Sequence, residues 1–204
     1  LPPEILVAIF LLIPRDTGNT LWIRVTHVCR RWREVALACS RFWSELFYVP
    51  PRFMEFALAR SGCAPISVHM FDDTPDEILF KVLSPDRLQK VTLSLRTEDS
   101  SVLSHFAKTF PILETVVLYG YRRWLMPNNF LSDCPHLKNL RIVYGDGLTW
   151  ESLTQAVQRG TLCTLDITSD VPATEETFLE CMRRMPLLQS LKLWSVLPLP
   201  PQLP

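Results

Sequence analysis

Apolar residues crowd one short run near the start of the chain, Ile5-Leu6-Val7-Ala8-Ile9-Phe10-Leu11-Leu12-Ile13, preceded by Leu1-Pro2-Pro3-Glu4. Proline is tolerated in the first turn of a helix, and Glu4 puts negative charge near the positive end of the helix dipole, so a helix is predicted to begin at Pro2 or Pro3. The run is apolar on all sides and therefore needs cover on more than one side. It falls well short of the roughly 20 residues of a membrane helix, carries Glu4, and stops at Pro14-Arg15-Asp16. After a turn-like stretch at 16–20, Leu21, Val25, Val28, Cys29, Trp32, Val35, Ala36 and Cys39 recur at steps that predict one helical face, with Arg24, His27, Arg30, Arg31, Arg33 and Glu34 opposite. Phe42-Trp43 and Leu46-Phe47 add a third apolar knot. Short helices in about fifty residues cannot enclose this much apolar surface, so part of it is expected to be covered by another polypeptide.

A different period takes over from residue 51. Five segments share the pattern apolar-x-x-apolar-x-apolar: Leu88, Val91, Leu93; Leu113, Val116, Leu118; Leu137, Leu140, Ile142; Leu162, Leu165, Ile167; and Leu188, Leu191, Leu193, with starts 24 to 26 residues apart. Cys63, Ile66, Val68 reads as a weaker sixth copy and Trp43, Leu46, Tyr48 as a possible seventh. Pro111, Pro135 and Pro186 each stand two residues before the first apolar position, and Pro85 three before, where a helix hands over to a strand. Helical stripes fall between, at Phe53, Phe56, Ala57, Arg60; Val102, Leu103, Phe106, Phe110; Leu153, Ala156, Val157; and Phe178, Leu179, Met182. Thr74-Pro75-Asp76-Glu77 reads as a capping box with proline at the first helical position. The tail 197–204 is too rich in proline for a helix or a central strand and is expected to be extended.

Two resemblances follow from these residues. Leu1-Pro2-Pro3-Glu4-Ile5-Leu6, Ile9-Phe10, Val28-Cys29-Arg30-Arg31-Trp32-Arg33-Glu34-Val35-Ala36 and Phe42-Trp43, taken in order, resemble the F-box, the helical motif that docks on the Skp-family adaptor of cullin–RING ubiquitin ligases. The strand-plus-helix period resembles the leucine-rich repeat, a solenoid with a curved parallel sheet. The asparagine of that family is missing, its places holding Arg96, Tyr121, Gly145, Asp170 and Val196, which implies an irregular array. The expected architecture is α/β: a helical F-box over residues 1–50, then about six irregular leucine-rich repeats over 51–204 with a proline-rich tail.

Composition narrows the chemistry. Lysine plus arginine and aspartate plus glutamate both number 21, so the formal net charge is zero and nothing drives the chain toward nucleic acid or an anionic membrane. The six cysteines, Cys29, Cys39, Cys63, Cys134, Cys163 and Cys181, contain no C-x-x-C pair; they read as reduced thiols of a cytosolic or nuclear protein. His27 and Cys29 stand two apart on the predicted helix and do not face each other. Cys134 and His136 flank Pro135 and read as a buried thiol and a surface histidine. His69 and His105 have no spaced partners, and phosphate-loop, nucleophile-elbow and zinc-protease motifs are missing. No catalytic residue, metal or cofactor is expected.

The resemblances imply a substrate receptor of an SCF-type ubiquitin ligase, with the adaptor and, through it, a cullin–RING ligase as partners of the first module and an unidentified protein target for the second. The alternative is a scaffold of the same build that acts in a stable complex without ubiquitin transfer. Adaptor contacts are expected from Leu1, Pro2, Ile5, Leu6, Ile9, Val28, Trp32 and Trp43, some of which must instead pack the helices together. On each strand the residues beside the inward positions alternate outward, so His69, Tyr119, Arg141, Asp166, Lys192 and Trp194 are expected on the concave, target-binding face.

Overall fold

The computed structural model describes residues 1–15, 20–71, 74–95, 101–120, 126–127, 129–143, 148–157, 160–168 and 174–194. The expected turn at 16–19, the five positions that lack the repeat asparagine, and the tail 197–204 lie outside them. Among the described residues seven strands form one sheet in chain order. Two compact units divide the chain: Leu1–Met70 with Thr74–Gln89, and Phe71–Asp73 with Lys90–Pro204.

In the first unit, α1 (Pro3–Leu11) starts where proline and Glu4 place it, with Pro2 as its N-cap, and buries Leu6 and Phe10. The single helix expected over residues 21–39 is instead two pieces, a 3₁₀ helix at Leu21–His27 and α2 (Arg30–Ala38), with Cys29 extended between them at φ −158° and ψ 170°. Branched Val25, Thr26 and Val28 weaken a continuous α-helix at the junction. The break is also satisfied locally, since Arg33 Nε donates to the Thr26 carbonyl at 2.8 Å and occupies an orphan acceptor. Breaking there turns Trp22 into an aromatic core that an unbroken helix would not fill. Its ring lies 4.8 Å from Phe42 and 5.7 Å from Trp43, edge to face in both cases. Trp43 sits on a second 3₁₀ helix (Ser40–Trp43) and donates its indole N–H to the Ala36 carbonyl at 2.8 Å.

Strand β1 (Glu45–Phe47) leads to α3 (Pro51–Ser61), β2 (Ile66–Phe71) and α4 (Asp76–Val82). Helix α3 ends at Gly62, whose φ of +55° belongs to the left-handed region that glycine enters at little cost. Helix α4 begins one residue later than the expected capping box would place it, with Pro75 as the N-cap rather than the first helical residue. Strands β1 and β2 pair in parallel with Leu46 opposite Val68. Spacing alone would have set Leu46 against Ile66, so the pairing is slipped by two residues. A two-residue slip preserves which face each side chain takes, and both leucine and valine stay buried.

The second unit carries most of β3 (Leu88–Leu95), then α5 (Ser101–His105), β4 (Thr115–Gly120), β5 (Asn139–Val143), α6 (Trp150–Ala156), β6 (Thr164–Thr168), α7 (Glu175–Arg183) and β7 (Ser190–Trp194). Here the register is the one that the spacing anticipates. Val91, Val116, Leu140, Leu165 and Leu191 are successive cross-strand partners, and so are Leu93, Leu118, Ile142, Ile167 and Leu193. From β3 to β6 these side chains are buried; on β7, Leu191 is exposed and Leu193 half-buried. One strand closes no core by itself, and each buried row exists because neighbours stack at strand spacing. No helix separates β4 from β5 among the described residues. Phe130 and Leu131 are buried in turns there, and Phe130 packs edge to face on Phe106 at 5.9 Å. Helices α6 and α7 meet through Trp150 and Phe178, 5.3 Å apart, and Thr174 caps α7 by accepting from the Thr177 amide.

Candidate docking surfaces

Helix α1 divides its apolar residues between two sides. Leu6 and Phe10, one helical turn apart, enter the core. Leu1 (69% exposed), Ile5, Ile9 and Leu12 (81% exposed) follow four-, four- and three-residue steps and remain in solvent. Leu21 and Val28 (61% exposed) add to the exposed apolar surface of the first unit. Isolated exposed leucines are ordinary, but six large aliphatic side chains on one small helical module are not, and a continuous stripe of this kind marks an interaction surface.

Of the eight residues expected to face the adaptor, Leu1, Pro2, Ile5, Ile9 and Val28 are exposed. Leu6 and Trp43 are each 1% exposed and belong to the internal core, the packing role that some of the eight were expected to take. Trp32 is half-buried with its ring 5.2 Å from Phe10. The reason is packing: Phe10, Trp22, Phe42 and Trp43 form one aromatic cluster, and Leu6 lies one turn before Phe10. Leu12 and Leu21 were not anticipated. The stepping from Leu1 through Ile5 and Ile9 could have pointed to Leu12, whereas Leu21 is exposed because the three-residue period of the 3₁₀ helix puts it in line with Arg24 and His27 and buries Trp22 with Val25.

Arg15 is the other residue that sequence reasoning missed. It is buried, donates from Nη1 to the Phe42 carbonyl at 2.7 Å, and stacks its guanidinium 4.5 Å from the Trp22 ring centroid and 4.8 Å from that of Phe42. Burial lowers its pKa, an effect partly offset by Glu45, whose carboxylate lies 3.8 Å from Nε. The stacked guanidinium fastens the end of the α1 connection to the aromatic core.

Of the six residues expected on the target-binding face, His69 lies on β2 of the first unit, half-buried, with its ring centroid 3.9 Å from that of Tyr48. Burial pushes its pKa down. The other five are on the second unit, where strand register aligns them. Arg141, Asp166 and Lys192 are successive cross-strand partners, and Tyr119 and Trp194 belong to the neighbouring row through Val143 and Thr168. Arg141 Nε lies 3.2 Å from Asp166 Oδ2, and its guanidinium lies 5.8 Å from the Tyr119 ring centroid.

The chemistry is sparse. Cys134 is buried and His136 exposed, and no group of three or more His, Cys, Asp or Glu able to hold a metal occurs among the described residues. An open groove of about 500 Å³ between α6 and α7 is lined by acids, arginines and hydroxyl or amide side chains, with Glu180 held by Arg184 at 2.9 Å. Neither histidine nor cysteine lines it. No described helix is long and apolar enough to cross a membrane.

No curated protein matches the chain. Residues 1–49 match the family described as F-box-like, whose domains bind Skp-type adaptors of cullin–RING ligases and generally belong to non-catalytic substrate receptors. The N-terminal module, with its uncovered aliphatic stripe, is an F-box-like region, and its presence suggests an SCF-type adaptor-binding role.

Proposed function

We propose that this protein is a substrate-recognition subunit of an SCF-type ubiquitin ligase, acting in the cytosol or nucleus. The first module holds the Skp-family adaptor, and the second unit, read as an irregular leucine-rich-repeat array, holds a protein target. The observation that carries this reading is the stripe Leu1, Ile5, Ile9, Leu12 with Leu21 and Val28, exposed on a module that matches the F-box-like family. Support for the repeat array comes from the parallel strands in chain order and the cross-strand partnership of residues 24 to 26 apart, such as Leu118 with Ile142, Ile142 with Ile167 and Ile167 with Leu193. The contribution of such a subunit is proximity: it brings the target to a charged conjugating enzyme and performs no bond chemistry itself.

Co-expression with a Skp-family adaptor tests the reading. The expected outcome is a stable one-to-one complex and a gain in soluble yield, because the stripe is then covered. A chain that stays monodisperse alone and ignores the adaptor would count against it. The scaffold alternative predicts the same complex but a target whose abundance does not rise when the proteasome is inhibited.

A further inference from the structure

The outward residues of the second unit's sheet fall into cross-strand rows whose charge is uneven. Lys90, Arg141 and Lys192 are basic and exposed, whereas Asp166 is the one acidic residue among the described outward positions of β3 to β7. Asp166 is already engaged, since its carboxylate holds Arg141 at 3.2 Å and its side chain is only 15% exposed. Arg141 commits Nε to that pair while its side chain stays half exposed, which leaves a planar, multi-donor group facing solvent. Lys192 stands on the other side of Asp166 in register, and no ion pair holds it among the described residues. A chain with zero formal net charge thus gathers a positive surplus on this face.

Beside the charges lies an apolar anchor point. Trp194 is 66% exposed and stands two residues beyond Lys192, on the same face of β7. Residues two apart on a strand are separated by roughly 7 Å. An extended ligand with a carboxylate and an apolar side chain at positions i and i+2 has the same spacing. Tryptophan and arginine are also types that dominate interface energetics.

We propose, resting on the reading of the second unit as the target-binding part, that this face takes an acidic peptide segment of the target. A carboxylate pairs with Lys192 and the open side of Arg141, and an apolar or aromatic side chain two residues away packs on Trp194. Single-stranded nucleic acid also uses cations with aromatic platforms. It is disfavoured here because Trp194 is the one exposed aromatic among the described outward positions of β3 to β7, whereas a run of bases needs successive stacking platforms.

The test is a fluorescence-anisotropy titration of the intact chain with short labelled peptides of alternating glutamate and leucine or tryptophan, beside counterparts in which lysine replaces each glutamate. The acidic peptides are expected to bind at least about tenfold more tightly, with an advantage that shrinks as salt rises. Lys192→Glu combined with Arg141→Glu should reverse the preference, and Trp194→Ala should weaken acidic peptides while leaving the dependence on charge. Because Arg141, Lys192 and Trp194 are exposed, circular dichroism should show each variant folded. Absence of peptide binding, equal binding of the two series, indifference to the charge reversal, or tighter binding of a labelled single-stranded oligonucleotide would each overturn the proposal. The titration is run with and without the Skp-family adaptor, so a failed adaptor complex would speak against the N-terminal reading alone.

Discussion

At the scale of single residues, burial assigns roles that side-chain type conceals. Arg15 looks like a surface residue at a helix end, yet it is 4% exposed, hydrogen-bonded to the Phe42 carbonyl and stacked on two rings. Removing a buried, hydrogen-bonded guanidinium leaves an unpaired carbonyl and lost stacking, so Arg15→Ala should cost about 3 kcal/mol in urea unfolding. Arg15→Lys should recover less than half of that, because an ammonium can neither stack as a plane nor fork its donors. The thiols divide in the same way. Cys181 is buried, and that burial pushes its pKa up to about 11, so at mildly alkaline pH it holds almost no thiolate. Titration of the native chain with a thiol reagent should label the exposed Cys29 and Cys63 first and leave Cys134 and Cys181 unreacted until unfolding.

At the scale of elements, α1 shows how one apolar helix serves two masters. The positions Leu6 and Phe10 fill the core, while Leu1, Ile5, Ile9 and Leu12 face outward. The two classes should separate experimentally. Leu6→Ala should lower stability by about 2 to 5 kcal/mol through the cavity it leaves, and it should affect adaptor affinity only as far as the module unfolds. Ile9→Asp should leave the unfolding midpoint nearly unchanged while costing about 2 kcal/mol or more in adaptor binding, read by calorimetry. If Leu6→Ala weakened binding in a fully folded module and Ile9→Asp did not, the division of faces would be reversed. The 3₁₀ helix and α2 show the complementary lesson. Their polar and apolar periodicity was legible, but the break at Val28 and Cys29 was not, because it depends on Trp22 finding Phe42 and Trp43 and on Arg33 reaching the Thr26 carbonyl.

At the scale of the whole molecule, two compact units carry two different surfaces, an aliphatic stripe on the first and a basic, aromatic sheet face on the second. A ligand that binds only the folded form stabilises it by mass action, so a saturating adaptor at about a hundred times its dissociation constant should raise the stability of the first unit by about 2.7 kcal/mol. Calorimetric scans should show that gain in the transition that the Arg15 and Leu6 substitutions lower. An adaptor that left that transition unmoved would argue against docking on the aliphatic stripe.

The sequence by itself determined the start of α1 at its prolines and the strand register of the second unit, because proline geometry and a repeat of 24 to 26 residues are local or periodic signals. It also carried the F-box-like motif, since ordered anchors such as Leu1-Pro2-Pro3-Glu4 and Trp32 need no contacts to be seen. Tertiary structure alone decided which apolar side chains of α1 face inward, where the second helix breaks, the two-residue slip of β1 against β2, and the burial of Arg15. Each of these depends on residues distant in the chain competing for the same volume, and a competition of that kind leaves no mark in local spacing.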